Sequence, residues 1–247
     1  MIEQNIKEIN EALTEAVDLD TELVCVYGSD HIPEKSLLVS SASSCLASAI
    51  YEMAKGNVSS PLYAAYEPQG RICRCMGGPA WFGYSPFDSK LMSLLASGSD
   101  ELIGCSPKHL KENRNIAKNT ICSIGKVKPL GRYVIMSCCN DIRDDREVRC
   151  IICFADGEQT RDLCALAHFG TDDVFGSISI PWGPSCATMI TYPAGMAENA
   201  PNALFIGPTD PSAREWLPKG CMILGIPIGI AKRMAKNANE SFLAKLA

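Results

Sequence analysis

The sequence predicts a single cysteine-rich α/β domain over residues 1–247, with a mixed β-sheet flanked by helices, and three observations predict it. Helical and strand-like periodicities alternate along most of the chain, the pattern of layered α/β folds. Two β-rich runs, Gly131–Cys139 and Arg149–Phe154, are joined by the charged connection NDIRDDREV, which reads as a solvated hairpin loop and therefore makes the sheet mixed. Finally, 47% apolar residues in a chain of 247 supply a large core, and no linker or repeat divides it.

The elements follow in order. Ile2, Ile6, Ile9, Leu13 and Val17 recur at spacings of three and four, an amphipathic helix. Leu23–Tyr27 is a short strand containing Cys25, and His31 lies in the turn after it. In SSCLASAIYEMAKG, Ser43 or Ser44 caps a helix whose apolar face is Leu46, Ile50, Met53 and Ala54, and Gly56 stops it. Cys45 then falls in the first turn. Residues 62–67 are extended and lead into RICRCMGGPAWFGY (71–84), where Gly77 and Gly78 permit a tight turn and Pro79 suits a first helical position. Asp88–Ala96 is a short helix closed by Gly98, and Ser106-Pro107 opens another running through His109 to about Asn119, with Cys105 just before it. After the hairpin, Ala155-Asp156-Gly157 turns into the helix 158–169, which ends at Gly170. Ser177–Ile180 is a strand, WGPSCATMITYPAG places Cys186 in a first helical turn, and residues 193–219 form a long irregular segment. A strand at 221–226, a helix from Pro227 and an amphipathic stretch from Asn239 close the chain.

Thirteen cysteines are an odd, irregularly spaced set, too sparse for a disulfide scaffold. They predict a mixture of core thiols and a few metal or redox thiols, a load that suits a reducing cytoplasm and an anaerobic host. Position separates the two kinds. A helix N-terminus offers free N–H groups and the positive end of the dipole, which favour thiolate, and Cys45, Cys75 and Cys186 all sit at such starts. Arg71 and Arg74 add to this at Cys75. Cys73 and Cys105 are further candidates. By contrast, Cys150 and Cys153 on one strand point to opposite faces, as do adjacent Cys138 and Cys139, so neither pair chelates one metal. Cys164 and His168 share one helix face at a spacing that metals use, though a pair alone is weak evidence and core packing is the favoured account of the cysteine.

The order of these landmarks, from SSCLASAIYEMAKG through CMGGPAWFGY, CIICFADGEQTRDLCALAHF and PSCATMITYPAG to LGIPIGIAKRM, resembles the uncharacterised archaeal cysteine-rich family, domain of unknown function 169. The resemblance implies shared cysteines at Cys45, Cys75 and Cys186. It also leads one to expect a further thiol where this chain has Gly207 or Pro208. It supplies no activity.

Several functions are compatible with these residues. The first is an iron–sulfur cluster, most simply 4Fe–4S, held by Cys45, Cys75 and Cys186, with Cys73 or Cys105 filling the remaining position and with a redox or electron-transfer role. A second is a binding protein for a tetrapyrrole-like or other anaerobic cofactor, lined by Trp81, Phe82 and Trp182. A third is a thiol enzyme using Cys75 as nucleophile or redox partner of Cys73. The fourth is a cysteine-rich core with no site. A net charge of −5 without a basic stripe excludes nucleic acid as a natural partner. The start MIEQNIKEIN lacks the apolar segment of a signal peptide, and Cys221–Ala231 is too short to span a bilayer, so the expectation is a cytoplasmic protein. A redox protein or small-molecule cofactor is the expected partner, and the sequence leaves room for a homo-oligomer.

Overall fold

Asn5 opens the first helix. Its side chain accepts the Glu8 N–H at 2.9 Å while the Glu8 carboxylate accepts the Asn5 N–H at 3.2 Å, a reciprocal cap over α1 (Ile6–Val17). The computed structural model describes residues 5–65, 78–98, 108–142, 147–196, 203–210 and 215–245. After α1 come β1 (Val24–Ser29), β2 (Leu37–Leu38), α2 (Val39–Ala42), α3 (Leu46–Ala54), β3 (Leu62–Ala65), α4 (Gly78–Trp81), α5 (Ser89–Ser97) and α6 (Arg114–Ser123). The second half holds β4 (Tyr133–Cys138), β5 (Val148–Ala155), α7 (Gly157–Phe169), β6 (Ile178–Ser179), a π-helical turn (Ala187–Thr191) running into α8 (Tyr192–Met196), β7 (Leu204–Gly207), β8 (Met222–Pro227) and α9 (Ile228–Asn237).

The strands form one eight-stranded sheet in the order β2-β3-β4-β1-β5-β8-β7-β6. The outermost pairs, β2 with β3 and β6 with β7, are parallel and the inner ones antiparallel. The mixed α/β architecture is the one the sequence predicts, but β4 and β5 are not the hairpin expected, because β1 lies between them and pairs antiparallel with both.

The chain divides into two compact units, residues 1–74 with 130–247, and residues 75–129. The sheet belongs to the first. Directly opposed residues of antiparallel strands share a face, and the row Cys138, Val24, Ile152, Gly225 and Phe205 therefore marks one side of it. On that side lie α3 and the π-turn: the Cys138 thiol donates to the Met53 carbonyl at 3.7 Å, and a Cβ on Gly225 would come within 3.0 Å of the Met189 Cα. On the other side, Ile9 and Leu13 of α1, Leu163 and Leu166 of α7, and Ile230 and Met234 of α9 pack with Cys25, Ile151, Cys153, Leu224 and Ile226. The result is three layers, helix, sheet and helix.

The second unit is helical. The Asp88 carboxylate accepts the N–H groups of Lys90 and Leu91 at 3.0 and 2.9 Å, and Gly98 (φ 73°) closes α5 in the left-handed conformation that a glycine adopts freely. The helix expected from Ser106-Pro107 to Asn119 starts later. Residues 108–113 are not helical, because the N–H groups of Lys108, Leu110 and Lys111 bond the Leu95 and Ala96 carbonyls at the end of α5. Asn113 then caps α6, accepting the Ile116 N–H at 3.0 Å. His109, expected in a first helical turn, has instead a φ of 46° and packs on Gly98.

Candidate thiolate site

Cys45 is the residue before α3, and not within its first turn as expected. Its backbone is extended (φ −118°, ψ 130°), its carbonyl accepts the Ala49 N–H at 3.0 Å, and its own N–H donates to the Ser43 hydroxyl at 3.3 Å. The thiol makes no capping bond to the helix and is only partly buried. It is thus exposed enough to meet a ligand and stands at the positive end of a nine-residue helix.

Cys186 is helical (φ −61°, ψ −32°) and buried, immediately ahead of the π-turn. Its carbonyl accepts the Thr191 hydroxyl at 3.4 Å, five residues on. The turn is pressed onto the sheet by two missing side chains. A Cβ on Gly225 would collide with the Thr188 carbonyl, and one on Gly207 would fall 2.6 and 2.7 Å from the Thr188 Cβ and Cγ2. Gly207 is one of the two positions where the family resemblance leads one to expect another thiol, and Thr188 fills the room its side chain would need. Single-turn π insertions recur at functional sites because they re-aim the side chains around them.

The loop into Cys186 is tethered twice. Thr209 accepts the Gly183 N–H at 2.9 Å, and the Asp210 N–H donates to the Gly183 carbonyl at 3.0 Å. The Tyr192 phenol donates to the Trp182 carbonyl at 2.8 Å. Burial, and secondarily the nearby Cys186, push that phenol up to about 12, so it remains a protonated donor throughout the physiological range.

The strand thiols are of another kind. Cys150 and Cys153 are fully buried on opposite faces, as the strand period predicts, Cys150 donating to the Met189 carbonyl at 3.7 Å and Cys153 packing among the α1, α7 and α9 side chains. Burial pushes both thiols well above the ordinary range, and takes Cys138 up to about 12. Cys139 is raised by burial and by its neighbour Cys25. These are proton-bearing core residues that pack as small hydrophobic side chains. Burial likewise raises Cys164, on α7 beside the core, and Cys221.

Among the described residues no three His, Cys, Asp or Glu side chains gather as a metal site, no disulfide forms, and no helix is long and apolar enough to cross a membrane. Cys73, Cys75, Cys105 and the turn at 71–77 lie outside the described residues. Of the aromatic residues proposed to line a cofactor pocket, Trp81 is buried edge-on against Phe87 at 4.9 Å and Phe82 stacks on Tyr84 at 6.3 Å. Trp182 spends its carbonyl on Tyr192. The residues sequence reasoning missed are Thr188, Tyr192 and Thr209, whose contacts with Gly207, Trp182 and Gly183 tie down the segment that carries Cys186 and leave no local pattern.

Neither a curated protein nor a solved structure matches the chain. The model of the uncharacterised ArCR family, domain of unknown function 169, matches residues 12–237, and the chain belongs to that family.

Proposed function

We propose that this protein is a cytoplasmic redox protein holding an iron–sulfur cluster, of the 4Fe–4S type, through the thiolates of Cys45, Cys75 and Cys186. Cys73 or Cys105 completes the set. The observation that supports the reading is the placement of α3 and the π-turn: the segments launched by Cys45 and Cys186 lie on the same face of the sheet.

The donor chemistry fits. Cys45 leaves its helix start without a side-chain cap, whereas the strand thiols are buried and protonated. Thiolates are the usual ligands of such clusters, and a bound cluster would supply one-electron transfer to a redox partner or small molecule.

The test is purification without oxygen. The protein should be brown and carry iron and acid-labile sulfide in equal amounts. Replacing Cys45, Cys75 or Cys186 singly by Ser should remove most of both, and replacing Cys150 by Ala should remove neither. A colourless, iron-free protein, or serine variants that keep their iron, would sink the assignment.

A further inference from the structure

We infer that Tyr192 is the positioning residue of Cys186, holding the thiol's direction through the Trp182 carbonyl; this rests on the reading of Cys186 as a ligand. The phenol reaches back ten residues to donate to that carbonyl at 2.8 Å, so the chain from Trp182 to Tyr192 closes on itself around Cys186.

Two further contacts make the closure tight. A Cβ on Gly183 would lie 3.2 Å from the Tyr192 hydroxyl and 3.0 Å from the Ala187 Cβ, so the loop is held against both ends of the π-turn and a methyl group there would push on both. From the other side Thr209 accepts the Gly183 N–H at 2.9 Å and donates to the Pro181 carbonyl at 3.1 Å. Pro181 to Pro184 are therefore clamped between the β7 exit and Tyr192, and Cys186 follows two residues later. The ring itself rests on Phe205 of β7 at 6.2 Å, which ties the clamp to the sheet. A π-turn alone is a weak support for a ligand, because its wider backbone ring is less regular than an α-turn. Tyr192 supplies the missing constraint.

The test uses the full-length protein, purified without oxygen, treated with a ferrous chelator and reductant, and alkylated with N-ethylmaleimide. Peptide mass spectrometry follows each cysteine separately. Tyr192→Phe, which removes only the hydroxyl, should raise the alkylation rate of Cys186 about fivefold, the factor that one hydrogen bond is worth. Gly183→Ala should do the same by wedging the clamp open. In both variants Cys150, under the π-turn on the sheet, should react at the parent's rate. In preparations that carry iron, Tyr192→Phe should also change the electron paramagnetic resonance of the reduced protein. An unchanged Cys186 rate in both variants overturns the inference, and so does a Cys150 rate that rises in step, which would mean that Tyr192 merely holds the segment folded. Alkylation does not need iron. A protein that never carried any would defeat the cluster reading while leaving the comparison of Tyr192 with Phe intact.

Discussion

A methyl group on Gly225 measures how firmly the sheet dictates the course of the π-turn. Gly225 sits on β8 between Ile152 and Phe205, beneath the turn that follows Cys186. In Gly225→Ala the new Cβ would collide with the Thr188 carbonyl and stand 2.7 Å from the Pro193 Cγ and 3.0 Å from the Met189 Cα. Ordinary contacts begin at 3.4 Å, so Pro193 must retreat by about 0.7 Å and the Thr188 peptide by more. Two of the three atoms are backbone, and no rotamer change relieves them. Overpacking of this kind costs roughly 1–3 kcal/mol, and the backbone clash puts this variant near about 3. With a urea slope near 3 kcal/mol per molar, the unfolding midpoint should fall by roughly 1 M. Gly229→Ala is the control. Gly229 is exposed in the first turn of α9 with nothing within 4 Å of its Cβ, and alanine there should leave stability unchanged or raise it by roughly 0.5 kcal/mol at most. A Gly225→Ala midpoint equal to the parent's would refute the reasoning, because it would mean that the π-turn drifts freely over the sheet and cannot aim a thiol.

Stability should also fall in alkali. Burial raises the folded-state values of Cys138, Cys150 and Cys153, so the unfolded chain loses these protons first; the stabilisation is complete below about pH 8.5 and declines above it, by about 1.4 kcal/mol per pH unit for each wholly buried thiol. Urea midpoints taken from about pH 8 to 10.5 report the decline, Cys150→Ala should flatten it, and a level profile would contradict it. At the start of α7 the Asp156 carboxylate accepts the Gln159 N–H at 2.8 Å while the Gln159 side-chain oxygen accepts the Asp156 N–H at 3.0 Å, so Asp156→Ala should cost about 1 kcal/mol in a thermal melt. No loss would show that the cap is redundant.

The parts of this fold that sequence reasoning reached are those with a local cause. Ile9 and Leu13 share one face of α1, Asp88 and Gly98 bracket α5, and the period of two sends Cys150 and Cys153 to opposite sides of β5. The misses have non-local causes. Ser106-Pro107 carries a helix-start signal, yet the carbonyls of α5 take the N–H groups of Lys108, Leu110 and Lys111, and Asn113 becomes the cap. The four residues of β7 lie inside a stretch so rich in Pro, Gly and Asn that it reads as a loop; pairing with β8 makes it a strand. The strand β2, two residues long, is too short to show any period, whereas β6 lies within the strand expected at 177–180. The π-turn has no local signal at all, because its shape answers to Gly207 and Gly225 on strands that come later in the chain.

The same distinction sorts the cysteines, and it bears directly on function. A thiol in mid-strand is enclosed on every side, and enclosure without a counter-charge favours the protonated form, which is why Cys150 and Cys153 are raised whatever the rest of the chain does. Cys45, partly buried, and Cys186, buried, stand instead at helix starts, and the segments they launch lie on one face of one sheet. The high cysteine count therefore describes two populations, and the larger of those described behaves as small hydrophobic residues in a layered core. Any redox chemistry depends on the few thiols that the turns present, so the discriminating perturbations lie in the residues that hold those turns, Tyr192, Thr209 and the glycines beneath them, as much as in the cysteines themselves.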